Sequence, residues 1–134
     1  MDSTTAMIKA YPKDLGGIDQ AALAACIDAC LECAQVCTAC ADACLSEDMV
    51  SELVKCIRTN QDCADICTAT GAVLSRHTGY DVTITRTILE ECLQACRACA
   101  EQCEQHAEMH EHCKVCAEAC RRCESACMKL LETL

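Results

Sequence analysis

The chain has no phenylalanine and no tryptophan, and Tyr11 and Tyr80 are its only tyrosines. A core without large rings is unusual for a 134-residue chain, so the interior volume is reserved for something else. Proline is almost missing as well: Pro12 stands alone, and the glycines are Gly16, Gly17, Gly71 and Gly79. So few breakers leave a turn-rich fold out and point to long helices joined by short turns. Positive charge is scarce, with 11 Lys and Arg against 21 Asp and Glu, and the net charge of -10 speaks against nucleic-acid and anionic-membrane partners. No stretch approaches about 18 consecutive apolar residues, so no membrane-spanning helix is expected. The start, from Met1 to Asp14, is polar and mixed in charge and lacks the apolar stretch of a secretion signal. A reducing cytoplasm, where thiols stay free, is the expected compartment.

What is present is cysteine. Eighteen residues are Cys, and they supply about 13 of the 52 percentage points of hydrophobic content. Cys26, Cys30, Cys33, Cys37, Cys40 and Cys44 follow one another at steps of 4, 3, 4, 3 and 4. Cys92, Cys96, Cys99 and Cys103 step by 4, 3 and 4, and Cys113, Cys116, Cys120, Cys123 and Cys127 by 3, 4, 3 and 4. This is the a/d rhythm of a bundled helix, where leucine normally sits. A third, sparser set is Cys56, Cys63 and Cys67, and the same rhythm places Asn60 between the first two and turns Met49, Leu53, Thr70 and Leu74 inward.

These seams predict an all-α chain: an antiparallel up-down-up-down four-helix bundle with a Cys-lined core over residues 18–134, preceded by an N-terminal arm over 1–17. The first helix is expected from about Ile18 to Cys44 or Leu45. Ser46, followed by Glu47 and Asp48, reads as the N-cap of the second, which runs to about His77 before Gly79 stops it. Asp81 or Thr83 reads as the cap of the third, ending near Gln105. The fourth covers roughly Ala107 to Glu132. Gly71 and small outer positions such as Ala34 and Ala41 would permit close approach of helices or of whole bundles.

The chemistry follows from softness and charge. Residues three or four apart on a helix have Cβ atoms about 5–6 Å apart, close enough for small rotamer changes to let one metal bridge two thiolates. Helices packed about 8–10 Å apart add further sulfurs to the same space. Four-coordinate Zn(II) would use about four ions on 18 thiolates and leave a large buried negative charge. Cu(I) at about one ion per thiolate neutralises the core and is the soft cation that thiolates select. A disulfide scaffold fits poorly, because helical i, i+4 pairs do not bring Cβ atoms to the required distance of about 3.8 Å. Plain packing accounts for one or two buried cysteines, not eighteen in register. The chain has no Cys-x-Cys, no ferredoxin-like spacing and no Glu-x-x-His, which argues against metallothionein-like, iron–sulfur and di-iron readings.

The repeated Cys-x-x-x-Cys-x-x-Cys seams, the sparser Cys56, Cys63, Cys67 set and the segment HAEMHEHC at 106–113 resemble the bacterial four-helix-bundle copper storage proteins, in particular their cytosolic branch. The resemblance spans about residues 18–132. It implies multiple Cu(I) ions stored inside each bundle, uptake at one end, and association into homotetramers. Copper ions are then the cargo, with a donor or acceptor protein or a small thiol as partner, and storage rather than catalysis is the function. A general sink for Zn, Cd or Ag, or a detoxification protein, is the alternative.

Topology assigns the two ends. The turn between the first two helices and the turn between the last two share one end, which gathers Cys44, Met49, Cys103, His106, Met109, His110, His112 and Cys113. The opposite end gathers Ile18, Leu23, Leu74, Ile84, Ile88, Leu89, Leu130, Leu131 and Leu134. One mouth is imidazole and thioether, and the other is an aliphatic plug. His106, Met109 and His110 are the candidate loading ligands. His112, two residues from His110, is expected to face elsewhere, and His77 to lie on the surface. Asn60 is a core-facing amide that either hydrogen-bonds within the core or offers its oxygen to copper.

Overall fold

The computed structural model describes residues 2–134, and its described residues contain helices and no strand. The elements are α1 (Ser3–Ala10), α2 (Gln20–Leu45), a short 3-10 turn (Val50–Glu52), α3 (Val54–Leu74), α4 (Val82–Glu104) and α5 (Glu111–Glu132). The helices α2 to α5 form the expected bundle. Each packs on two neighbours, α2 on α3 and α5, and α4 on α3 and α5, which closes a four-sided ring around one axis. At 1.5 Å per residue the four are about 30–40 Å long.

Local chemistry explains most boundaries. Asp19 caps α2 by accepting from Ala22 N, and Asp81 caps α4 by accepting from Thr83 N and Ile84 N. Gly79 has φ +68° in the turn before α4, a backbone that favours glycine. Three expectations shift. The arm contains a helix of its own, capped by Asp2 and anchored on α2 by the buried Ile8. Ser46 does not start the second core helix: its N–H closes the end of α2 on Ala43 O and Cys44 O, and α3 begins eight residues later at Val54. The reason is Leu53, fully buried at the start of α3, which anchors that helix by packing instead of by a capping side chain. The last helix starts at Glu111 rather than Ala107, because residues 105–110 form turns closed by His106 O.

The aliphatic plug is present, with Leu23, Leu74, Leu89 and Leu130 buried together with Thr70 and Thr85. Ile84 is not part of it and lies exposed, because α4 turns Thr85 inward in its place. Ala41, expected at an outer position, is buried, and Ala34 is partly buried against the core. Gly71 lets α3 lie close to α2: a Cβ there would meet Leu31 Cδ2 at 3.4 Å and Cys30 Cβ at 3.7 Å. By length and composition α2 is apolar enough to cross a membrane, contrary to the reading of short apolar runs. Much of that apolarity is the cysteine seam, which faces the bundle axis.

Candidate metal centre

The helical rhythm turns every cysteine inward. All eighteen are free and buried, none more than 2% exposed. Their sulfurs form a column along the axis, built from all four core helices. From the plug upward, Cys26 meets Cys127 at 3.8 Å, and Cys30 meets Cys123 at 3.8 Å and Cys92 at 4.0 Å. Cys67 touches Cys92 at 3.8 Å and Cys96 at 3.7 Å, and Cys63 touches Cys96 and Cys33 at 3.9 Å each. Cys37 contacts Cys120 at 3.6 Å, Cys116 at 3.7 Å and Cys99 at 3.9 Å. Near the mouth Cys56 meets Cys103 at 3.8 Å.

These spacings are too long for disulfides, whose sulfurs stand about 2.05 Å apart. They suit bridging by a metal. Two metal–sulfur bonds of about 2.3 Å hold their sulfurs about 4.0 Å apart at a trigonal angle and about 4.6 Å apart in a line. Sets of four such ligands lie within 4.8 Å of one another, among them Cys30–Cys92–Cys123–Cys127, Cys33–Cys63–Cys67–Cys96, Cys33–Cys37–Cys63–Cys120 and Cys37–Cys99–Cys116–Cys120. The last three share members. A sulfur that belongs to two sets must bridge, so the column favours connected thiolate clusters over isolated four-coordinate ions.

Asn60 sits inside the column, fully buried, as its seam position predicts. Its Oδ1 accepts from the thiols of Cys99 at 2.9 Å, Cys116 at 3.2 Å and Cys103 at 3.5 Å, and its Nδ2 donates to Cys56 Sγ at 3.8 Å. Its amide oxygen is thus surrounded by sulfurs.

The mouth differs from its sequence reading. His106 and His110 are there and half-buried, whereas Met109 points outward at 61% exposure. His112 does not face elsewhere. Its Nδ1 lies 3.4 Å from Cys40 Sγ and 3.7 Å from Cys113 Sγ, and Cys40, Cys44, His112 and Cys113 make a further set of close ligands. Reading His112 as two steps past His110 assumed one continuous helix, but the turn at 105–110 resets the register. Its place beside Cys113 in the sequence was the available signal. Glu47, which sequence reasoning treated only as a helix-dipole residue, joins the same site: its Oε2 is 2.8 Å from His112 Nε2 and 2.9 Å from His110 Nδ1. That bond to His112 holds the Glu47 carboxyl below its ordinary value. His77 is far away at the plug end, edge-on to Tyr11.

Burial governs the outermost thiols. Loss of hydration pushes Cys44 up to about 11 and Cys113 up to about 12, so both are protonated near neutrality. At the plug end contact with the Cys127 sulfur draws the Cys26 thiol down to about 5. Deeper in the column Cys33 is lowered by contacts with Cys120, Cys123, Cys37 and Cys63.

Known proteins share this fold. The sequence profile of the copper storage proteins matches residues 19–132. The structure of the copper storage protein Ccsp from Streptomyces lividans, loaded with 10 copper equivalents, is 61% identical and superposes with a TM-score of 0.98 over 98% of this chain and 100% of that one. A structure of copper loading to the cytosolic copper storage protein of Streptomyces lividans, with five coppers, is 65% identical, with a TM-score of 0.87 over 89% of this chain and 99% of that one. The Cu(I)-bound copper storage protein BsCsp3 is 34% identical, with a TM-score of 0.71 over 80% and 95% of the two chains. No curated protein sequence gives a match. The profile covers the whole bundle, and the relatives carry copper in the same fold. The chain belongs to the copper storage protein family.

Proposed function

We propose that this protein stores Cu(I) in the cytoplasm, holding about one ion per cysteine in thiolate clusters along the bundle axis. The observation that carries this is the column of eighteen buried free sulfurs, most of them with a sulfur neighbour at 3.6–4.0 Å and the outermost, Cys40, Cys44 and Cys113, grouped with His112 within 4.8 Å. Charge supports copper over zinc. Eighteen thiolates with about four divalent ions keep a net charge near -10 in a dry core, which is prohibitive, whereas about eighteen monovalent ions leave it neutral. Low coordination numbers and bridging sulfur suit Cu(I), and the sulfur spacing fits a trigonal or linear ion. Storage is the role, since the column offers soft ligands along the whole axis and the family is one of copper storage.

Copper loads at the mouth, where His106, His110 and His112 stand above Cys44 and Cys113, and not through the leucine plug. Soft neutral ligands accept the ion from a donor protein or small thiol, and the deeper thiolates hold it more tightly. Asn60 keeps the middle of the column satisfied before loading and presents its amide oxygen to copper afterwards. Bundles associate as homotetramers. The cytoplasmic relative from Streptomyces lividans supports the compartment. The deciding experiment is anaerobic titration of the reduced protein with Cu(I) against a competing chelator. Saturation near the thiol count is expected. Tight, stoichiometric binding of Zn(II) with weak Cu(I) binding would favour the general thiol sink.

A further inference from the structure

Glu47 lies in the turn after α2, outside the sulfur column, and a copper store built of thiolates has no evident use for a carboxylate. Its contacts define one. A single oxygen, Oε2, meets His112 Nε2 at 2.8 Å and His110 Nδ1 at 2.9 Å, and the two imidazoles stack with centroids 5.5 Å apart and planes 17° from parallel. A carboxylate oxygen only accepts hydrogen bonds, and a neutral imidazole carries one N–H. Each ring must therefore turn its N–H to Glu47. His112 is then the Nε2–H tautomer and His110 the Nδ1–H tautomer. The opposite nitrogen of each ring is left as a bare lone pair. For His112 this is Nδ1, 3.4 Å from Cys40 Sγ and 3.7 Å from Cys113 Sγ. For His110 it is Nε2, which is buried without any hydrogen-bond partner. Buried polar atoms are rarely left so unless something else is to fill the position.

We propose that Glu47 is a positioning residue that locks His110 and His112 in opposite tautomers, so that both present a neutral nitrogen lone pair to Cu(I) at the mouth. This rests on the storage reading above and assigns the part of it that the sulfurs do not explain. The arrangement is the metal-site device in which an outer carboxylate fixes the tautomer and orientation of a ligating histidine, here with one carboxylate serving two rings. Without Glu47 a free imidazole prefers its N–H on Nε2. His110 would then carry a proton on the nitrogen that has to bind copper.

The test uses the full-length reduced apo-protein, uniformly labelled with nitrogen-15, above the imidazole titration range. Long-range proton–nitrogen correlation spectra report the tautomer of each ring. Wild type should show His110 with its proton on Nδ1 and His112 with its proton on Nε2. Glu47→Ala should shift His110 to the Nε2–H form. Glu47→Gln, which keeps one accepting oxygen without the charge, should lie between the two. Stopped-flow loading with Cu(I) delivered from a weak chelate should slow about 10-fold or more in Glu47→Ala, the scale at which lost outer partners weaken metal sites. The loading rates should follow the order of the His110 tautomer populations. Glu52→Ala, an exposed charge change at the end of the 3-10 turn Val50–Glu52, should load like wild type. His110 found as Nε2–H in wild type, or Glu47→Ala loading at the wild-type rate, overturns the proposal. Failure of the storage reading itself would show separately, as wild type saturating at roughly four equivalents or fewer.

Discussion

The sulfurs of Cys33 and Cys37, one turn apart on α2, lie 3.7 Å from each other, and Cys120 of α5 closes the triangle at 3.7 and 3.6 Å. Three sulfurs at these distances surround a point about 2.1 Å from each, close to a metal–thiolate bond of about 2.3 Å. The apo-protein is thus nearly pre-shaped for a trigonal ion, and small rotamer changes suffice to admit it. Because such triangles share corners along the column, capacity should be set by the thiol count. Anaerobic titration followed by the thiolate-to-copper charge-transfer absorbance should rise to about one Cu(I) per cysteine. A plateau at roughly four equivalents would mean discrete sites and defeat the storage reading.

The fold should not need the metal. Leu23, Leu74, Leu89 and Leu130 fill the plug and Leu53 anchors α3 near the mouth, all buried, and the sulfurs themselves pack in contact. Far-UV circular dichroism of the reduced apo-protein should already show a strongly helical chain. A coil spectrum that turns helical only on adding Cu(I) would indicate metal-coupled folding instead.

Asn60 holds the middle of the column together. Its Oδ1 serves the thiols of Cys99, Cys116 and Cys103, and the side chain is fully buried. Asn60→Ala removes that acceptor and leaves a gap, which should lower the stability of the reduced apo-protein by about 1–3 kcal/mol. Urea unfolding midpoints of wild type and variant, under reducing and metal-free conditions, measure the loss. An unchanged midpoint would show that the amide contributes nothing to the core.

The parts legible in the sequence are those that a repeating pattern over-determines. The 4, 3 steps assign every cysteine and Asn60 to one face, and no other face of these helices can bury them, so the column was readable residue by residue. The same rhythm run backwards from Cys92 lands on Leu89 and then Thr85, the residues found buried, and the apolar side chain of Ile84 was the misleading signal. Helix ends were harder. Ser46 with Glu47 and Asp48 has the composition of an N-cap, but Glu47 is engaged by two imidazoles and Leu53 decides where α3 begins. His112 and Glu47 are joined across 65 residues by a turn whose register no local pattern specifies.

The outer thiols should tie the apo-protein's stability to alkaline pH. Burial raises Cys44 to about 11 and Cys113 to about 12, above their ordinary value of 9.0. The folded state therefore keeps these protons where the unfolded chain would release them. Their contribution is complete below about pH 9 and disappears as pH climbs through 11 to 12. Replacing both with serine should flatten the fall in urea midpoint between pH 9 and 11. An equally steep fall in the double variant would place the alkaline weakness elsewhere. The same protonation means that copper binding near neutrality must expel protons, and calorimetry in buffers of different ionisation enthalpy should register their release.

Copper should pass the mouth and not the plug. The two ends differ in chemistry: His112, with His110 stacked on it, stands beside Cys40, Cys44 and Cys113 at one, and Leu23, Leu74, Leu89 and Leu130 seal the other. A monovalent ion crossing a leucine layer would shed its ligands with none to replace them, whereas imidazole nitrogens can hand it on to thiolates 3.4–3.7 Å away. Replacing His106, Met109 and His110 together with apolar residues should slow both loading and removal by chelator while the final capacity, set by the sulfurs, stays near the thiol count. Met109→Ala alone should do little, because that side chain is 61% exposed and points away from the column. Leu130→Ala, which opens a gap in the plug and should cost about 2–5 kcal/mol of stability, should not speed loading. Stopped-flow loading of the three variants separates the two routes. Unchanged kinetics in the triple variant, or faster kinetics on opening the plug, would place the route at the leucine end.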